Sequence, residues 1–175
     1  MLSLLIRREL PADVDAVRQV VEAAFTRQPL PGSIPVEVAL VDALRATEEW
    51  IPALSLVAEV DGKIVGYVVC SRAWADGHLV LGLGPLAVLP ELQRAGVGSA
   101  LMHAVLGEAD ALGEPLVVLL GHTDYYPRFG FRPATELGIV SPDAEWGAHF
   151  QARPMVTYDP AIRGRFRYAA PFNDL

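Results

Sequence analysis

The first half of the chain alternates between helical and strand spacing of its apolar residues. Residues 4–7, which begin with three consecutive apolar side chains, predict a first strand. A helix is predicted to open at Pro11, because proline favours the first helical turn and apolar residues then recur every three or four positions. A second amphipathic helix is predicted over Val36–Ala46, after a loop at residues 29–35 that holds three prolines and a glycine.

A β-hairpin is predicted next. Two β-prone runs, Ser55–Val60 and Lys63–Arg72, are separated by Asp61-Gly62, the residue pair that two-residue primed turns prefer. A further turn at residues 75–77 leads into a long apolar strand over Leu79–Val88. The sequence therefore predicts three consecutive antiparallel strands.

A strand, helix, strand pattern continues from there. Gln93–Leu112 predicts a loop and an amphipathic helix, and the uninterrupted apolar run Leu116–Leu120 predicts a buried strand. Continuous apolar strands are typical of parallel pairs that are covered on both faces. The strands at Leu79–Val88 and Leu116–Leu120 are therefore expected to form a βαβ unit with a right-handed crossover.

The remaining elements are short. A helix over Tyr125–Phe129, a strand near Phe131 and a last strand at residues 154–158 complete a predicted α/β domain. We expect a single domain over residues 1–175, with its core at about 4–160. The aromatic, arginine-bearing tail from residue 162 has no predicted place.

Composition excludes several classes of function. The chain has 175 residues, of which 52% are hydrophobic and 20% charged, as expected of one self-supporting domain. Its formal net charge is −7 and it has no basic run, so no nucleic-acid partner is expected. The acidic balance fits either attraction of protonated amines or simple solubility.

The cysteine and histidine counts bear on compartment and metals. Cys70 is the only cysteine, which excludes an internal disulfide and fits a reducing compartment, and four scattered histidines give no paired metal-ligand spacing. The apolar stretch at residues 2–6 is too short for a signal-peptide core, and no window approaches a membrane span. We expect a cytoplasmic protein with neither a metal nor a membrane partner.

A candidate phosphate site lies where the apolar strand gives way to the helix. Gly96 and Gly98 let the backbone approach a ligand closely, and a helix N-terminus presents free N–H groups to an anion. Arg94 adds a charge beside them. A Rossmann fingerprint is excluded because Leu101 stands at its third small position, and the Gly-Lys-Ser/Thr ending of a P-loop is absent. A glycine pair that only caps the helix is the alternative.

The preceding strand is irregular. Gly82, Gly84 and Pro85 weaken it, and proline cannot donate to a ladder, so a β-bulge is predicted, with an ordinary irregular strand as the alternative. A bulged strand can separate from its parallel neighbour and leave backbone groups free to pair with an amide-bearing ligand. An amide-bearing arm joined to a pyrophosphate is the chemistry of coenzyme A.

Two tyrosines follow the strand at Leu116–Leu120. Ligands collect beyond the carboxyl ends of parallel strands, so Tyr125 and Tyr126 are expected to border the site. A tyrosine hydroxyl holds its proton at neutral pH and can give it to a departing thiolate. Packing roles for both tyrosines are the alternative.

These segments together resemble the GNAT superfamily of N-acetyltransferases. The resemblance is carried by Gln93-x-x-Gly96-x-Gly98, preceded by residues 86–90 (Leu-Ala-Val-Leu-Pro) and followed by Tyr126-x-x-Phe129-Gly130-Phe131. The run at residues 125–131 is most similar to the YhbS-like subgroup of predicted bacterial acetyltransferases. The resemblance implies a GNAT-like fold, in which a central, mostly antiparallel mixed sheet has a splayed parallel strand pair and flanking helices.

The resemblance also implies the site and the reaction. Acetyl-CoA is the implied co-substrate, a small-molecule or peptide amine is the implied acceptor, and Tyr126 is the implied general acid. The oligomeric state stays open, with a homodimer, which is common in the resembled family, among the alternatives. The residues implied to bind the cofactor are Leu86, Ala87, Val88, Gln93, Arg94, Ala95, Gly96, Val97, Gly98 and Ser99.

Some roles stay open at this point. Glu59 and His78 are remote candidates for a general base, and His122 stands where many relatives carry a pantetheine-binding asparagine. An acyl-CoA-binding sensor without catalysis is the alternative function, and a nucleotide-binding domain is a third.

Overall fold

The computed structural model describes residues 3–26 and 34–175, so most of the predicted loop at residues 29–35 lies outside the described residues. The described chain forms three α-helices, which are α1 (Val14–Phe25), α2 (Val36–Arg45) and α3 (Val97–Ala111). It forms nine strands, which are β1 (Leu4–Arg8), β2 (Trp50–Val60), β3 (Lys63–Ala75), β4 (His78–Val88), β5 (Leu116–Leu120), β6 (Arg132–Pro133), β7 (Ile139–Val140), β8 (Phe150–Pro154) and β9 (Gly164–Arg167).

One mixed sheet organises the molecule. Its strand order is β1-β2-β3-β4-β5-β8-β6, and its neighbours are antiparallel except for the parallel pair β4–β5. The short strand β9 pairs with β3 and, in parallel, with β7. The expected fold class is confirmed: a mostly antiparallel mixed sheet with one parallel pair at its centre and helices on its faces.

The helices cover opposite faces of the sheet because side chains alternate along each strand. Val68 and Cys70 of β3 pack with α3, whereas Tyr67 and Val69 pack with α1 and α2. Gly66 brings α3 close to the sheet, since a Cβ there would lie 2.9 Å from Leu101 Cδ1. Cys70 is fully buried, as expected of a core residue.

The predicted hairpin turn has the conformation that its sequence favours. Asp61 and Gly62 both have positive φ, 51° and 79°, which is the requirement of a two-residue type I′ turn. The hairpin is longer than predicted, because β2 begins at Trp50 and β3 runs to Ala75.

The end of the chain differs from the prediction. The last strand was expected at residues 154–158, but the strand in that region is Phe150–Pro154 and it ends at the proline. Val156, which favours strands by type, is 85% exposed. The unplaced tail forms β9, whose residues Phe166 and Arg167 pair with the end of β3. No helix within the described ranges is long and apolar enough to cross a membrane.

Candidate active site

The sheet opens between β4 and β5. β4 pairs with β5 only at Leu81 and Gly82. Beyond Gly82, β4 stays paired with β3, and β5 stays paired with β8, but the two strands no longer pair with each other. The β3–β4 ladder shifts register between Val68 and Cys70, where β4 carries one extra residue, so the predicted bulge is confirmed. A bulge bends the strand that contains it, and a gap opens between the two parallel strands.

Backbone groups of β4 face this gap. Alternate residues of an antiparallel strand direct their N–H and C=O groups to the partner. The N–H of Leu89 donates to the Val65 carbonyl, so Ala87 pairs with β3, while Leu86 and Val88 face the gap. The expectation for Ala87 is therefore corrected: its backbone faces β3 and its side chain is buried in the core beneath α1.

The turn between β4 and α3 borders a cavity of about 670 Å³. Gly96 caps the helix with φ of 90°, in the left-handed region that favours glycine. The N–H groups of residues 97–99 belong to the first helical turn, where they have no partner within the helix. A Cβ on Gly98 would lie 2.9 Å from the Tyr125 hydroxyl, so glycine leaves room at the anion-binding end of the helix.

This cavity brings together most of the predicted cofactor-binding residues. Those that line it are Leu86, Val88, Gln93, Arg94, Gly96, Gly98 and Ser99. Val97 is buried in the core at 1% exposure, and the exposed Ala95 does not line the cavity, so only their backbone groups could contribute. The Gln93 side chain donates to the Val88 carbonyl at 3.1 Å and thereby ties the turn to the end of β4.

The structure adds Asp124, Tyr125 and Arg128 to this cavity, none of which was in the predicted set of cofactor-binding residues, although Tyr125 was expected to border the site. Tyr125 extends its hydroxyl to Ser99, and the Arg128 guanidinium lies 4.7 Å from the Tyr125 ring centroid. Arg94, Arg128 and Asp124 all line the cavity, so two cationic side chains and one carboxylate border the turn. The only sequence signal for Arg128 was its position in the run at residues 125–131.

Tyr126 turns away from this turn and packs against the end of β5. Its ring meets the Tyr125 ring edge-on, with centroids 5.0 Å apart. Burial, followed by the neighbouring Tyr125, raises the pKa of Tyr126 to about 12. A Cβ on Gly121 would overlap the Tyr126 ring, and the Gly121 carbonyl is held by Gln151 Nε2 at 3.0 Å.

A second cavity of about 880 Å³ adjoins the first. Leu86, Val88, Gln93 and Tyr125 line both cavities, and Tyr126 lines the second. The two spaces therefore meet at the gap between β4 and β5. The turn at residues 93–99, which we call the phosphate turn after its predicted role, lies on one side and Tyr126 on the other.

The two remote candidates for a general base do not reach the gap. The Glu59 carboxylate lies 3.6 Å from the Arg7 guanidinium, and His78 begins β4 at the end opposite the gap. Neither lines the two cavities, so both are set aside. His122 is exposed and lines the second cavity. In the part of the chain that the structure describes, no three His, Cys, Asp or Glu side chains are grouped to hold a metal.

Comparison with known proteins decides the family. A family model for the acetyltransferase (GNAT) domain matches residues 52–133. The uncharacterized N-acetyltransferase YjhQ of Escherichia coli (strain K12) is 34% identical over 168 residues, which are 91% of this chain and 89% of that protein. The chain belongs to the GNAT family of N-acetyltransferases.

Solved GNAT structures match almost the whole chain. A GNAT family acetyltransferase from Brucella melitensis, in complex with acetyl-CoA, has a TM-score of 0.77 and 37% identity, with 97% of each chain covered. Escherichia coli YhbS, in complex with CoA, has a TM-score of 0.85 and 28% identity, with 99% of this chain and 93% of that chain covered. The resemblance drawn from the sequence is confirmed, and so is the expected class, an acyltransferase.

Proposed function

We propose that this GNAT protein transfers the acetyl group of acetyl-CoA to a primary amine by direct attack within a ternary complex. The observation that carries the proposal is the pair of cavities that meet at the gap between β4 and β5. One has the anion-binding turn and two arginines, and the other has the half-buried Tyr126. A cofactor with a pyrophosphate at one end and a thioester at the other matches this arrangement.

The chain's own groups fit such a cofactor. Arg94, Arg128 and the N–H groups of residues 96–99 would hold the pyrophosphate. The N–H and C=O groups of Leu86 and the N–H of Val88 face the gap and would pair with the amides of the pantetheine arm and with the acetyl carbonyl. The Val88 carbonyl already accepts from Gln93, so the strand edge is fixed where the thioester would lie.

The proposed reaction needs no covalent enzyme intermediate. The amine nitrogen attacks the thioester carbonyl carbon and loses a proton to solvent, the carbon–nitrogen bond forms, and the carbon–sulfur bond breaks. Tyr126 gives its hydroxyl proton to the departing thiolate and is reprotonated from solvent. The Val88 N–H would stabilise the tetrahedral oxyanion, an effect of roughly 3 to 4 kcal/mol per donor in other enzymes. Cys70 is excluded as a nucleophile, since burial removes it from the gap and raises the pKa of its thiol.

Thiol release from acetyl-CoA tests the proposal and separates it from an acyl-CoA sensor. The protein is assayed with a panel of primary amines, and the primary alcohols with the same carbon skeletons serve as acceptor controls. We expect amine-dependent release of CoA together with the N-acetylated amine by mass spectrometry. Calorimetric binding of acetyl-CoA without release for any amine would favour the sensor instead.

Removal of either arginine at the turn should weaken binding of the cofactor. Arg94→Ala and Arg128→Ala are each expected to raise the Kd for CoA about tenfold, because each removes a charge-assisted contact worth about 1.4 kcal/mol or more. Isothermal titration calorimetry at one fixed salt concentration measures this. Arg132→Ala is the matched control, since Arg132 is exposed on β6 and lines neither cavity. An unchanged Kd for both variants would place the pyrophosphate elsewhere.

A further inference from the structure

The second cavity has an aromatic wall. Trp146, Tyr168 and Phe172 line it together, from three separate parts of the chain's second half. The Tyr168 and Phe172 rings are stacked, with centroids 4.2 Å apart and planes at 17°, and the Trp146 ring centroid lies 6.4 Å from that of Tyr168. Phe25, at the end of α1, also lines the cavity. Tyr168 is only 9% exposed, so the half-buried Trp146 and Phe172 present most of the flat apolar surface to whatever enters.

Tyr168 fixes this wall beside the gap. Its ring lies over Gly82, the last residue of β4 that pairs with β5, where a Cβ would be 2.7 Å from Tyr168 Cδ1. Its hydroxyl lies near the backbone of Leu120, the last residue of β5, and burial raises the Tyr168 pKa. The aromatic wall therefore begins where the two strands separate, next to the proposed position of the thioester.

One carboxylate side chain completes the lining. Glu37, in the first turn of α2, is the only acidic side chain among the described residues that line this cavity, and none of them is a lysine or arginine. Glu37 is half-buried. Removing a carboxylate from water beside apolar surface costs free energy, and a charge-assisted hydrogen bond from a cationic partner offsets that cost. Aromatic faces also attract cations.

We propose that the acceptor is a monoamine carried on a flat apolar body, with Glu37 binding the amine in its ammonium form as it enters and Trp146 and Phe172 packing against the body. The ammonium loses one proton to solvent before the neutral amine attacks the thioester. The inference rests on the proposed acetyl transfer, since it assigns the acceptor of that reaction. Polycations such as polyamines would bring further charges for which the described lining offers no second carboxylate side chain. Free amino acids would bring a carboxylate beside Glu37.

Three probes of different charge test the inference with the intact protein. Using thiol release, we expect kcat/KM for 2-phenylethylamine to exceed that for spermidine and for L-phenylalanine by about tenfold or more. Glu37→Gln should raise the KM for 2-phenylethylamine about tenfold and leave the KM for acetyl-CoA unchanged. Glu48→Gln is the charge-matched control, because Glu48 is exposed and lies outside the cavity. Phe172→Leu should reduce the preference for 2-phenylethylamine over a straight-chain amine.

A binding measurement separates the two proposals. Calorimetry of 2-phenylethylamine against the CoA-saturated protein should show binding that Glu37→Gln weakens and Glu48→Gln does not. Equal kcat/KM for spermidine and 2-phenylethylamine, or an unchanged KM in Glu37→Gln, overturns the inference while acetyl transfer stands. Absence of thiol release with every amine overturns acetyl transfer, and Glu37-dependent binding of 2-phenylethylamine would in that case still support the amine site.

Discussion

Replacement of Tyr126 by phenylalanine is expected to lower kcat by about two to four orders of magnitude while the Kd for CoA stays within about twofold. The substitution keeps the ring, and with it the edge-on contacts to Tyr125 and Phe131. It removes only the proton that the thiolate would receive. Single-turnover kinetics and calorimetry on the same preparation measure the two quantities.

The pH dependence gives a second measurement on the same residue. Because burial raises the pKa of Tyr126 to about 12, the hydroxyl keeps its proton throughout the range in which the protein can be assayed. We therefore expect no fall in kcat with a midpoint near 10, the ordinary value for tyrosine. Such a midpoint in the native protein, lost in Tyr126→Phe, would show a solvated phenol and contradict the structure.

Tyr125→Phe is the matched control for these measurements. The Tyr125 hydroxyl faces Ser99 and Gly98 at the phosphate turn. Its removal should weaken CoA severalfold and leave kcat near the native value. A kcat loss in Tyr125→Phe equal to that in Tyr126→Phe would mean that the two hydroxyls act together.

The parts of the site that the sequence predicted are those set by local constraints. Gly96 has the positive φ that caps α3, and Gly84 and Pro85 lie where β4 shifts register. Each feature is made by residue types that favour it at that position, so each could be predicted from a short stretch of sequence. The apolar pattern likewise predicted α3 and β5, since an amphipathic helix repeats its apolar residues every three or four positions and a fully buried strand is a continuous apolar run. The gap follows from these local features and the parallel pairing.

The acceptor side could not be predicted in this way. Tyr168 reaches the gap because β9 pairs with the end of β3, which is far away in sequence, and no local pattern specifies that pairing. Tyr125 and Tyr126 are adjacent and of the same type, yet one faces the phosphate turn and the other the end of β5. Their directions depend on the short helical turn at Tyr126–Phe129 and on the space left by two glycines.

A substitution at Gly121, which leaves space for the Tyr126 ring, can displace Tyr126 without changing its side chain. Gly121→Ala is expected to lower kcat about 100-fold, because an added Cβ would overlap the Tyr126 ring, and a shift of about 1 Å in a catalytic group costs that much. The backbone has little freedom to yield, since the Gly121 carbonyl accepts from Gln151 Nε2 at 3.0 Å and from His149 Nδ1 at 3.2 Å. The ring must therefore move, while the phosphate turn and the Kd for CoA stay as they are.

Two controls show whether this loss passes through the tyrosine. Gly107→Ala places the same methyl group on an exposed position of α3 with no atom within 4 Å, and it should leave kcat unchanged and raise the melting temperature slightly. In the Tyr126→Phe background, Gly121→Ala should add little further loss, since groups that act as one unit are not additive. A full 100-fold loss in that background would mean that the alanine obstructs the gap itself and does not act through Tyr126.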